Sequence, residues 1–323
     1  MPNILLIKTS SLGDVVHNLP VVNDIRAHFP GARIDWLVEE AYSDIVAMHP
    51  GVNRAIPVAL RRWRGNPFKA AHWREFGQFR RALAGMRHDC VIDTQGLIKS
   101  ALLARISSGT RHGYAGESAR EPLAAKFYDI THAVPRDLHA VVRNRRLAAL
   151  ALGYQQPTTL DYGITVRYHA GPIAPRPYCV LLHATSSAGK LWPEPSWVRL
   201  VGELAQKGYA SVLPWGNAAE RARSERIARG ASKAVVPPAQ GIPGMAGLLA
   251  GAKAVIGVDT GLAHLAAALG LPVVALYRGS SPRLTGVYAP EGARVRNLGD
   301  IGLVPEADEV LAALDEVTGE GAA

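Results

Sequence analysis

Cysteine is scarce in this sequence: Cys90 and Cys179 are the only two among 323 residues, and both lie in apolar runs. Two buried cysteines cannot supply the disulfide framework of a small secreted domain. No apolar run approaches the roughly 20 residues that a membrane-spanning helix needs, and the first residues lack the basic and apolar segments of a signal peptide. We therefore expect a cytoplasmic protein.

Several ligand-binding signatures are also missing. No G-x-G-x-x-G follows the first strand-like segment, which argues against a nicotinamide or flavin site. The stretch "ATSSAGKL" resembles a P-loop, but Ala184 replaces its first glycine and Leu191 replaces the magnesium-binding serine or threonine. No two aspartates stand two positions apart, and the histidines lack zinc-ligand spacing. The sequence therefore predicts neither a metal site nor a cofactor.

The net charge of +9 is unevenly distributed. Residues 1–170 contain 22 Lys and Arg against 14 Asp and Glu, whereas residues 171–323 contain 14 against 13. A basic half suits an anionic partner, such as a nucleic acid, an acidic membrane surface or an acidic substrate. Solubility alone is the competing explanation of this charge.

Strand-like and helix-like segments alternate along both halves of the chain, which predicts parallel sheets covered by helices on both faces. The Pro- and Gly-rich stretch "YHAGPIAPRP" at Tyr168–Pro177 is the best candidate for a linker. We therefore predict an α/β protein with two Rossmann-like domains, residues 1–167 and 178–305, whose parallel sheets face an interdomain cleft. Residues 306–323 should form a helix that packs back on the N-terminal domain.

The first strand-to-helix turn carries unusual polar residues. The segment "KTSSLGDVVHNLP" follows the apolar run "NILLI" and places Ser10, Ser11, Gly13 and Asp14 at the predicted carboxyl edge of the sheet. Ligands bind at this edge in open α/β sheets. As alternatives, the serines and the glycine are ordinary turn residues, and Asp14 complements a helix dipole.

A second strand-to-helix turn occurs in "VIGVDTGLAHLAAALG" at 255–270. Here Asp259, Thr260 and Gly261 end an apolar strand, and a helix begins at once. Backbone N–H groups and the positive end of the helix dipole would meet there, which predicts an anion site that takes a pyrophosphate without a metal. An ordinary helix N-cap is the alternative.

Seven motifs together resemble one enzyme family over essentially the whole chain. They are "KTSSLGDVVHNLP", "RRWR", "DTQGLIKSA", "AREPLA", "HATSSAGKLWP", "LPWG" and "VDTGLAHL". Their order and spacing resemble the heptosyltransferases of glycosyltransferase family 9, which have the GT-B fold. "RRWR" and "AREPLA" point to the type I branch of that family rather than to the type II branch.

The resemblance implies an inverting transfer of L-glycero-D-manno-heptose from ADP-heptose to the Kdo region of Kdo-lipid A, a step in the biosynthesis of the lipopolysaccharide inner core. It also implies metal-independent catalysis, an acceptor-binding N-terminal domain and an ADP-sugar-binding C-terminal domain. The enzyme would be peripheral on the cytoplasmic face of the anionic inner membrane.

The resemblance also assigns roles to individual residues. Asp14 is the general base, because the acceptor hydroxyl of a single displacement must lose its proton, and Lys190 stabilises the leaving diphosphate. The donor-binding residues are Ser10, Ser11, Gly13, Thr185, Ser186, Glu220, Asp259, Thr260, Gly261 and His264. The acceptor-binding residues, which suit carboxylates and phosphates, are Arg61, Arg62, Arg64, Arg120 and His139.

Other functions remain open at this point. Another GT-B sugar-nucleotide transferase or epimerase, including the type II heptosyltransferase, would keep "VDTG" without needing the arginine cluster. A non-catalytic nucleotide-binding protein at the membrane surface would have no use for an acid such as Asp14 facing the acceptor. Nucleic acid is not an expected partner, because no aromatic stacking platform accompanies the arginines.

Overall fold

The structure is a computed structural model that describes residues 1–66, 68–166 and 174–320. It divides into two compact units, Met1–Ile164 and Thr165–Ala323, each with its own sheet and apolar core. The boundary after Ile164 lies close to the predicted end of the first domain. The predicted linker lies outside the described residues except for its last four positions, 174–177.

The first unit is built on six parallel strands in the order β3-β2-β1-β4-β5-β6. Its strands are β1 (Asn3–Ile7), β2 (Arg33–Glu39), β3 (Arg54–Val58), β4 (Cys90–Asp93), β5 (Thr110–Tyr114) and β6 (Ile130–His132). Its helices are α1 (Leu12–Val16), α2 (Leu19–His28), α3 (Ser43–Ala47), α4 (Leu60–Gly65), α5 (Ala70–Gly85), α6 (Ile98–Ile106) and α7 (Ala140–Leu152).

The second unit repeats this topology with the order β12-β11-β10-β7-β8-β9, again all parallel. Its strands are β7 (Tyr178–Leu182), β8 (Ala210–Val212), β9 (Ala234–Val235), β10 (Ala254–Val258), β11 (Val273–Leu276) and β12 (Val295–Leu298). Its helices are α8 (Glu194–Gln206), α9 (Ala218–Ala228), α10 (Ile242–Ala250), α11 (Gly261–Ala268), α12 (Pro282–Thr285) and α13 (Ala307–Thr318).

The central strands were predictable because they are covered on both faces. A parallel strand buried between two helical layers has apolar residues at successive positions rather than at alternate ones. In β1, the residues from Ile4 to Ile7 are fully buried, and all five residues of β10 are buried. These continuous apolar runs contribute to the apolar core of each unit.

The segment "GDVVHNLPVVNDIRAHF" after β1 predicts one helix but forms two. Helix α1 ends at Val16, and α2 begins at Leu19 with Pro20 in its first turn. Proline has no N–H to donate and therefore suits a first turn but breaks a helix interior. The short α1 is thus a separate helix after β1, and it carries Asp14.

The sequence around "RRWR" is polar and predicts a loop, but the segment forms α4. Its Trp63 contacts the rings of Phe76 and Phe79 on α5 at centroid distances of 5.5 and 5.7 Å. The indole Nε1 of Trp63 also donates to Glu75 Oε2 at 3.0 Å. These contacts across the chain stabilise a short arginine-rich helix that has little helical signal of its own.

The C-terminal helix was expected to pack on the N-terminal domain, and this stays a prediction. Within its own unit, helix α13 contacts α8, β10, β11 and β12. Its buried residues Val310, Leu314 and Val317 belong to the same core cluster as the buried residues of β7 and β10. The apolar face of this amphipathic helix therefore packs in the core of the second unit.

Candidate functional site

The strand order of each sheet reverses direction at one point, between β1 and β4 in the first unit and between β7 and β10 in the second. Ligands of open α/β sheets bind outside the carboxyl ends of the strands at such switch points. The turns after β1 and β4 carry "KTSS" and "TQG", and those after β7 and β10 carry "HATSSAGK" and "DTG". The motifs singled out from the sequence thus lie where the topology favours a ligand.

Gln95 holds the turn after β1 in place. Its Oε1 accepts hydrogen bonds from the backbone N–H groups of Thr9 at 2.9 Å and Ser10 at 3.2 Å, and its Nε2 donates to the carbonyl of Ser10 at 2.6 Å. The next residue, Gly96, has φ +67°, and a Cβ there would meet the Tyr114 ring at 3.1 Å. The turn after β4 therefore packs too closely for another residue type.

Asp14 is presented at the end of this turn with one carboxylate oxygen engaged. Its Oδ2 accepts from the backbone N–H of Ser11 at 2.8 Å and from the Ser11 hydroxyl at 3.1 Å. The guanidinium of Arg120 lies 3.7 Å from the same oxygen. The side chain is 23 % exposed, and within the described residues no donor bonds Oδ1. A partly exposed carboxylate with a free oxygen is able to accept a proton.

Lys8 lies beneath the turn and is 4 % exposed. Its Nζ donates to the Thr94 carbonyl at 2.8 Å and to Asn144 Oδ1 at 3.3 Å. Burial lowers the pKa of Lys8 to about 8, and the nearby Asp14 and Asp93 carboxylates only partly oppose this shift. Burial also raises the pKa of Asp93, whose Oδ2 accepts from the Tyr128 hydroxyl at 2.7 Å.

Two of the predicted acceptor residues lie in this region of the first unit. Arg120 faces Asp14, as described, and His139 caps α7 by accepting from the Val141 amide at 3.2 Å. The ring of His139 also contacts that of His17 edge-on, at 5.3 Å between centroids. A further cation, Lys99, donates to the Ser10 hydroxyl at 3.2 Å.

The three arginines of α4 do not form one free cluster. Arg62 forms ion pairs with Glu40 at 3.0 Å and with Glu75 at 2.7 Å. Arg61 lies over the Tyr42 ring at 5.1 Å. Arg64 is exposed and, in the described part of the chain, forms no ion pair. Two arginines therefore remain available to an anionic ligand, whereas the third stabilises the junction of α4 and α5.

In the second unit, Asp259 is the centre of a compact polar cluster at the end of β10. Its Oδ2 accepts from Lys190 Nζ at 2.6 Å and from the Ser280 hydroxyl, and His264 Nε2 lies 3.9 Å from its Oδ1. Burial alone would raise the pKa of Asp259, but the nearby His264, Lys190 and Ser280 side chains together hold it well below the usual range. Asp259 is therefore a fixed anion that positions the ammonium group of Lys190.

The other predicted donor residues of the second unit surround this cluster. The Thr185 hydroxyl donates to the Asp259 carbonyl at 2.9 Å, which joins the two turns of the switch point. Ser186 is exposed in the same loop, and Thr260 is the N-cap of α11, which begins at Gly261. The first N–H groups of a helix have no partners within it, so the start of α11 offers donors to an anion beside Lys190.

Glu220 lies on a different turn, after β8. Its Oε2 accepts from the Gly216 amide at 2.7 Å, and its own amide donates to the Asn217 side chain at 3.0 Å. The carboxylate therefore stabilises the first turn of α9 and is not part of the Asp259 cluster. It remains half-buried near the carboxyl edge of the sheet.

Two absences apply to residues 1–66, 68–166 and 174–320. In these ranges no helix has both the length and the hydropathy needed to cross a bilayer. Over the same ranges, no group of three or more His, Cys, Asp or Glu side chains is arranged to hold a metal ion.

Comparison with known proteins identifies the family. A family model described as glycosyltransferase family 9 (heptosyltransferase) matches residues 76–308, which is more than half of the chain. This chain belongs to glycosyltransferase family 9. Lipopolysaccharide heptosyltransferase 1 of Pseudomonas aeruginosa is 46 % identical over 287 residues, which cover 88 % of this chain and 81 % of the relative.

Solved structures agree with this family 9 assignment. The E. coli heptosyltransferase WaaC with ADP is 41 % identical, with a TM-score of 0.89 over 98 % of this chain and 99 % of the other. The same enzyme with ADP-2-deoxy-2-fluoro heptose gives a TM-score of 0.86 over 97 % and 99 %. The family 9 chain is therefore a glycosyltransferase, and the predicted α/β class with two Rossmann-like, GT-B units is confirmed.

Sequence reasoning missed three residues of the first unit of this glycosyltransferase. Lys8, Gln95 and Lys99 all contact the turn that carries Ser10 or the strand ends beside it. Lys8 directly follows β1 and Gln95 is the second residue after β4, and that position was the available signal. Their contacts could not be assigned because they depend on β1 and β4 being neighbours in the sheet.

Proposed function

We propose that this chain is an inverting heptosyltransferase of type I. It moves L-glycero-D-manno-heptose from ADP-heptose to the Kdo region of Kdo-lipid A during the assembly of the lipopolysaccharide inner core. The observation that carries the proposal is Asp14, whose carboxylate has one oxygen fixed by Ser11 and the other free. A binding protein without catalysis has no need of such a group.

In the proposed reaction, a hydroxyl of the acceptor attacks the anomeric carbon of the heptose. The bond from that carbon to the β-phosphate oxygen of ADP breaks, and ADP leaves. The acceptor proton goes to Oδ1 of Asp14, which acts as general base. The Ser11 and Arg120 contacts to Oδ2 fix the orientation of the carboxylate and keep its other oxygen available.

The donor side of the proposal rests on the Asp259 cluster. Lys190 Nζ is held 2.6 Å from Asp259 and is 30 % exposed, so it can also contact a diphosphate. Negative charge grows on the leaving diphosphate, and a positioned ammonium stabilises it most in the transition state. Thr185, Ser186, Thr260 and Gly261 supply hydroxyl and N–H donors to the same phosphates.

The acceptor side is assigned to Arg61, Arg64, Arg120 and His139. Kdo carries a carboxylate and lipid A carries phosphates, and guanidinium groups bind both. Ser10 and Gly13 lie next to the sugar in this proposal, and Glu220 and His264 complete the donor site. Arg62 supports the acceptor site only indirectly, because Glu40 and Glu75 already bind it.

We also propose that the enzyme works at the anionic surface of the inner membrane, on its cytoplasmic face. The basic charge of residues 1–170 supports this location. Two exposed aromatic side chains add to this charge. Phe68 is 95 % and Trp73 65 % exposed, and they lie close in sequence to Lys69 and Arg74. Exposed aromatic side chains among cations suit the interfacial region of a bilayer.

The deciding experiment is a reconstitution with purified protein, ADP-heptose and Kdo-lipid A. Mass spectrometry should find the acceptor heavier by one heptose, together with an equal amount of ADP. Transfer should continue in EDTA. Product made equally well from other sugar nucleotides, or activity that returns only with magnesium or manganese, would overturn the assignment of donor or mechanism.

The membrane location is tested separately, by sedimentation with phosphatidylglycerol vesicles. Phe68→Ser together with Trp73→Ser should reduce the bound fraction and leave transfer to detergent-dispersed acceptor intact. Unchanged sedimentation of this double variant would exclude the aromatic contact.

A further inference from the structure

A second group of charged residues lies at the opposite edge of the first sheet, where β1, β2 and β3 begin. A cavity of about 350 Å³ opens there between these strand ends and the segment that follows α5. Such a volume falls in the range of small-ligand sites. The lining residues that matter here are Asn3, Arg33, Asp35, Arg54, Arg87 and His88.

Strand register brings the cations of this cavity together. Arg33 is opposite Asn3 across β1 and β2, and Arg54 is opposite Asp35 across β2 and β3. Arg87 joins them from the segment before β4. Within the described chain none of these three arginines forms an ion pair, although fifteen ion pairs occur elsewhere in the molecule or beside the cavity.

The one carboxylate among the lining residues already has two partners. Asp35 Oδ1 accepts from Asn53 Nδ2 at 2.9 Å, and His88 Nε2 lies 3.2 Å from Asp35 Oδ2. Asp35 therefore cannot serve as the partner of all three guanidinium groups. The cavity keeps an excess of positive charge.

The wall formed by residues 85–88 is fixed by hydrogen bonds. The His88 amide donates to the Ser108 hydroxyl at 3.0 Å, and that hydroxyl donates to the Met86 carbonyl at 2.6 Å. The His88 side chain is 2 % exposed. Its Nδ1 is buried and has no hydrogen-bond partner among the described residues, although buried polar atoms normally have one.

We propose that this cavity binds a compact oxyanion with at least two negative charges, of the phosphate-ester or pyrophosphate class. Arg33, Arg54 and Arg87 would bind its oxygens through charge-assisted hydrogen bonds. The ligand is either a free phosphorylated molecule or the headgroup of an anionic lipid, because both present the same chemistry.

The cavity is distinct from the proposed transfer site. Asn3 begins β1, whereas Asp14 follows its carboxyl end. Five residues of a strand rising about 3.3 Å each separate the two regions by roughly 16 Å. An anion in the cavity therefore does not occupy the position of the heptose acceptor, and the proposal does not depend on the identity of that acceptor.

The test is calorimetric titration of the whole protein with inorganic pyrophosphate at low salt. The cavity variant carries Arg33→Gln and Arg87→Gln. The matched control carries Arg105→Gln and Arg229→Gln, two exposed arginines without ion pairs, so both proteins lose the same charge. Wild type and control should bind one pyrophosphate more than the cavity variant, or bind it at least about tenfold more tightly.

A second arm separates the two sources of the ligand, using vesicles of phosphatidylglycerol in phosphatidylcholine. If the headgroup is the ligand, the cavity variant sediments less than the control, and pyrophosphate releases the wild-type protein. If a free phosphate is the ligand, both variants sediment alike, while pyrophosphate binding still depends on the cavity. Equal pyrophosphate binding and equal sedimentation of all three proteins would overturn the proposal.

Discussion

Each unit places a carboxylate beside the switch point of its own sheet, and the surroundings of the two carboxylates differ. Asp14 follows β1 and Asp259 follows β10, each beside the switch point of its own sheet. Asp14 is fixed through one oxygen by Ser11 and Arg120, and its other oxygen is free. Asp259 Oδ2 accepts from Lys190 and Ser280, and His264 Nε2 lies 3.9 Å from its Oδ1.

The different contacts of the two aspartates suit them to different roles. A carboxylate with a free, partly exposed oxygen can exchange a proton, whereas one surrounded by donors stays ionised and serves as an anchor. Both residues are aspartates beside a switch point, so the difference follows from their neighbouring side chains. The predictions below test this contrast between the units.

The largest effect is expected at Asp14. Asp14→Asn keeps the shape of the turn but removes the proton acceptor, so kcat should fall by about 10²–10⁴. The affinity for ADP should change little, because the donor phosphates are assigned to the other unit. Steady-state kinetics with both substrates saturating measures this, and more than a tenth of the wild-type kcat would contradict the base assignment.

A second comparison concerns one buried histidine in each unit, His49 and His183, which share the same pKa shift. Burial lowers the pKa of His49 and of His183 from 6.5 to about 4. The unfolded chain therefore binds more protons than the native protein between these values, so the free energy of unfolding falls as the pH falls from 6.5 to 4. Each histidine should contribute ~3 kcal/mol to this loss.

Urea denaturation at several pH values checks this second prediction. His49→Gln should flatten the pH dependence of the first unit, and His183→Gln that of the second. The two single variants serve as controls for each other. A double variant that loses as much stability on acidification as the wild type would exclude this explanation.

Lys190 should have an intermediate effect. Lys190→Met removes the ammonium group, and loss of charge-assisted hydrogen bonds to a diphosphate should weaken ADP binding about 10- to 100-fold. The matched control is Lys253→Met in the same unit, whose ion pair with Glu320 at 3.2 Å lies at the other end of the sheet. Equal ADP affinities of the two variants would place the phosphates elsewhere.

The smallest effect is expected for the arginines of α4. Arg61→Gln and Arg64→Gln should each raise KM for Kdo-lipid A about two- to fivefold, which is typical of exposed ion pairs, and rising salt should abolish the difference. Arg62→Gln should change KM less, because Arg62 is bound by Glu40 and Glu75. If Arg62→Gln had the largest effect on KM, this order would be wrong. Arg62 would then leave Glu40 and Glu75 in order to bind the acceptor.

Much of the fold could be predicted because the central strands are continuous apolar runs. Strands β5 "TRHGY", β6 "ITH" and β12 "VRNL" are not predicted from their own sequences, because they lie toward the edges of their sheets and contain polar residues. Their pairing depends on a neighbouring strand rather than on their own composition. Helix α4 was missed for a related reason, since Trp63 and Glu75 stabilise it from α5.

The candidate site was predictable where residues directly follow a strand. Asp14, Thr185, Asp259 and Thr260 lie at the carboxyl edges, as their motifs indicated. The sequence could not reveal which side chains these residues contact. The bond of Lys190 to Asp259 joins positions 69 residues apart, and the pairing of Arg62 with two glutamates was equally invisible.

The place of α13 in the second core has a consequence for biosynthesis. The first unit has all its strands and helices by Leu152, so it can fold while the ribosome is still translating. The second core takes Val310, Leu314 and Val317 from the last helix, and synthesis of Thr165–Ala323 lasts on the order of 10–30 s. During that time the helix-free face of β10 and β11 is open to chaperones and proteases. A chain whose synthesis stops near residue 300 would therefore have a complete first unit, whereas its second unit would lack α13 and be a target for degradation.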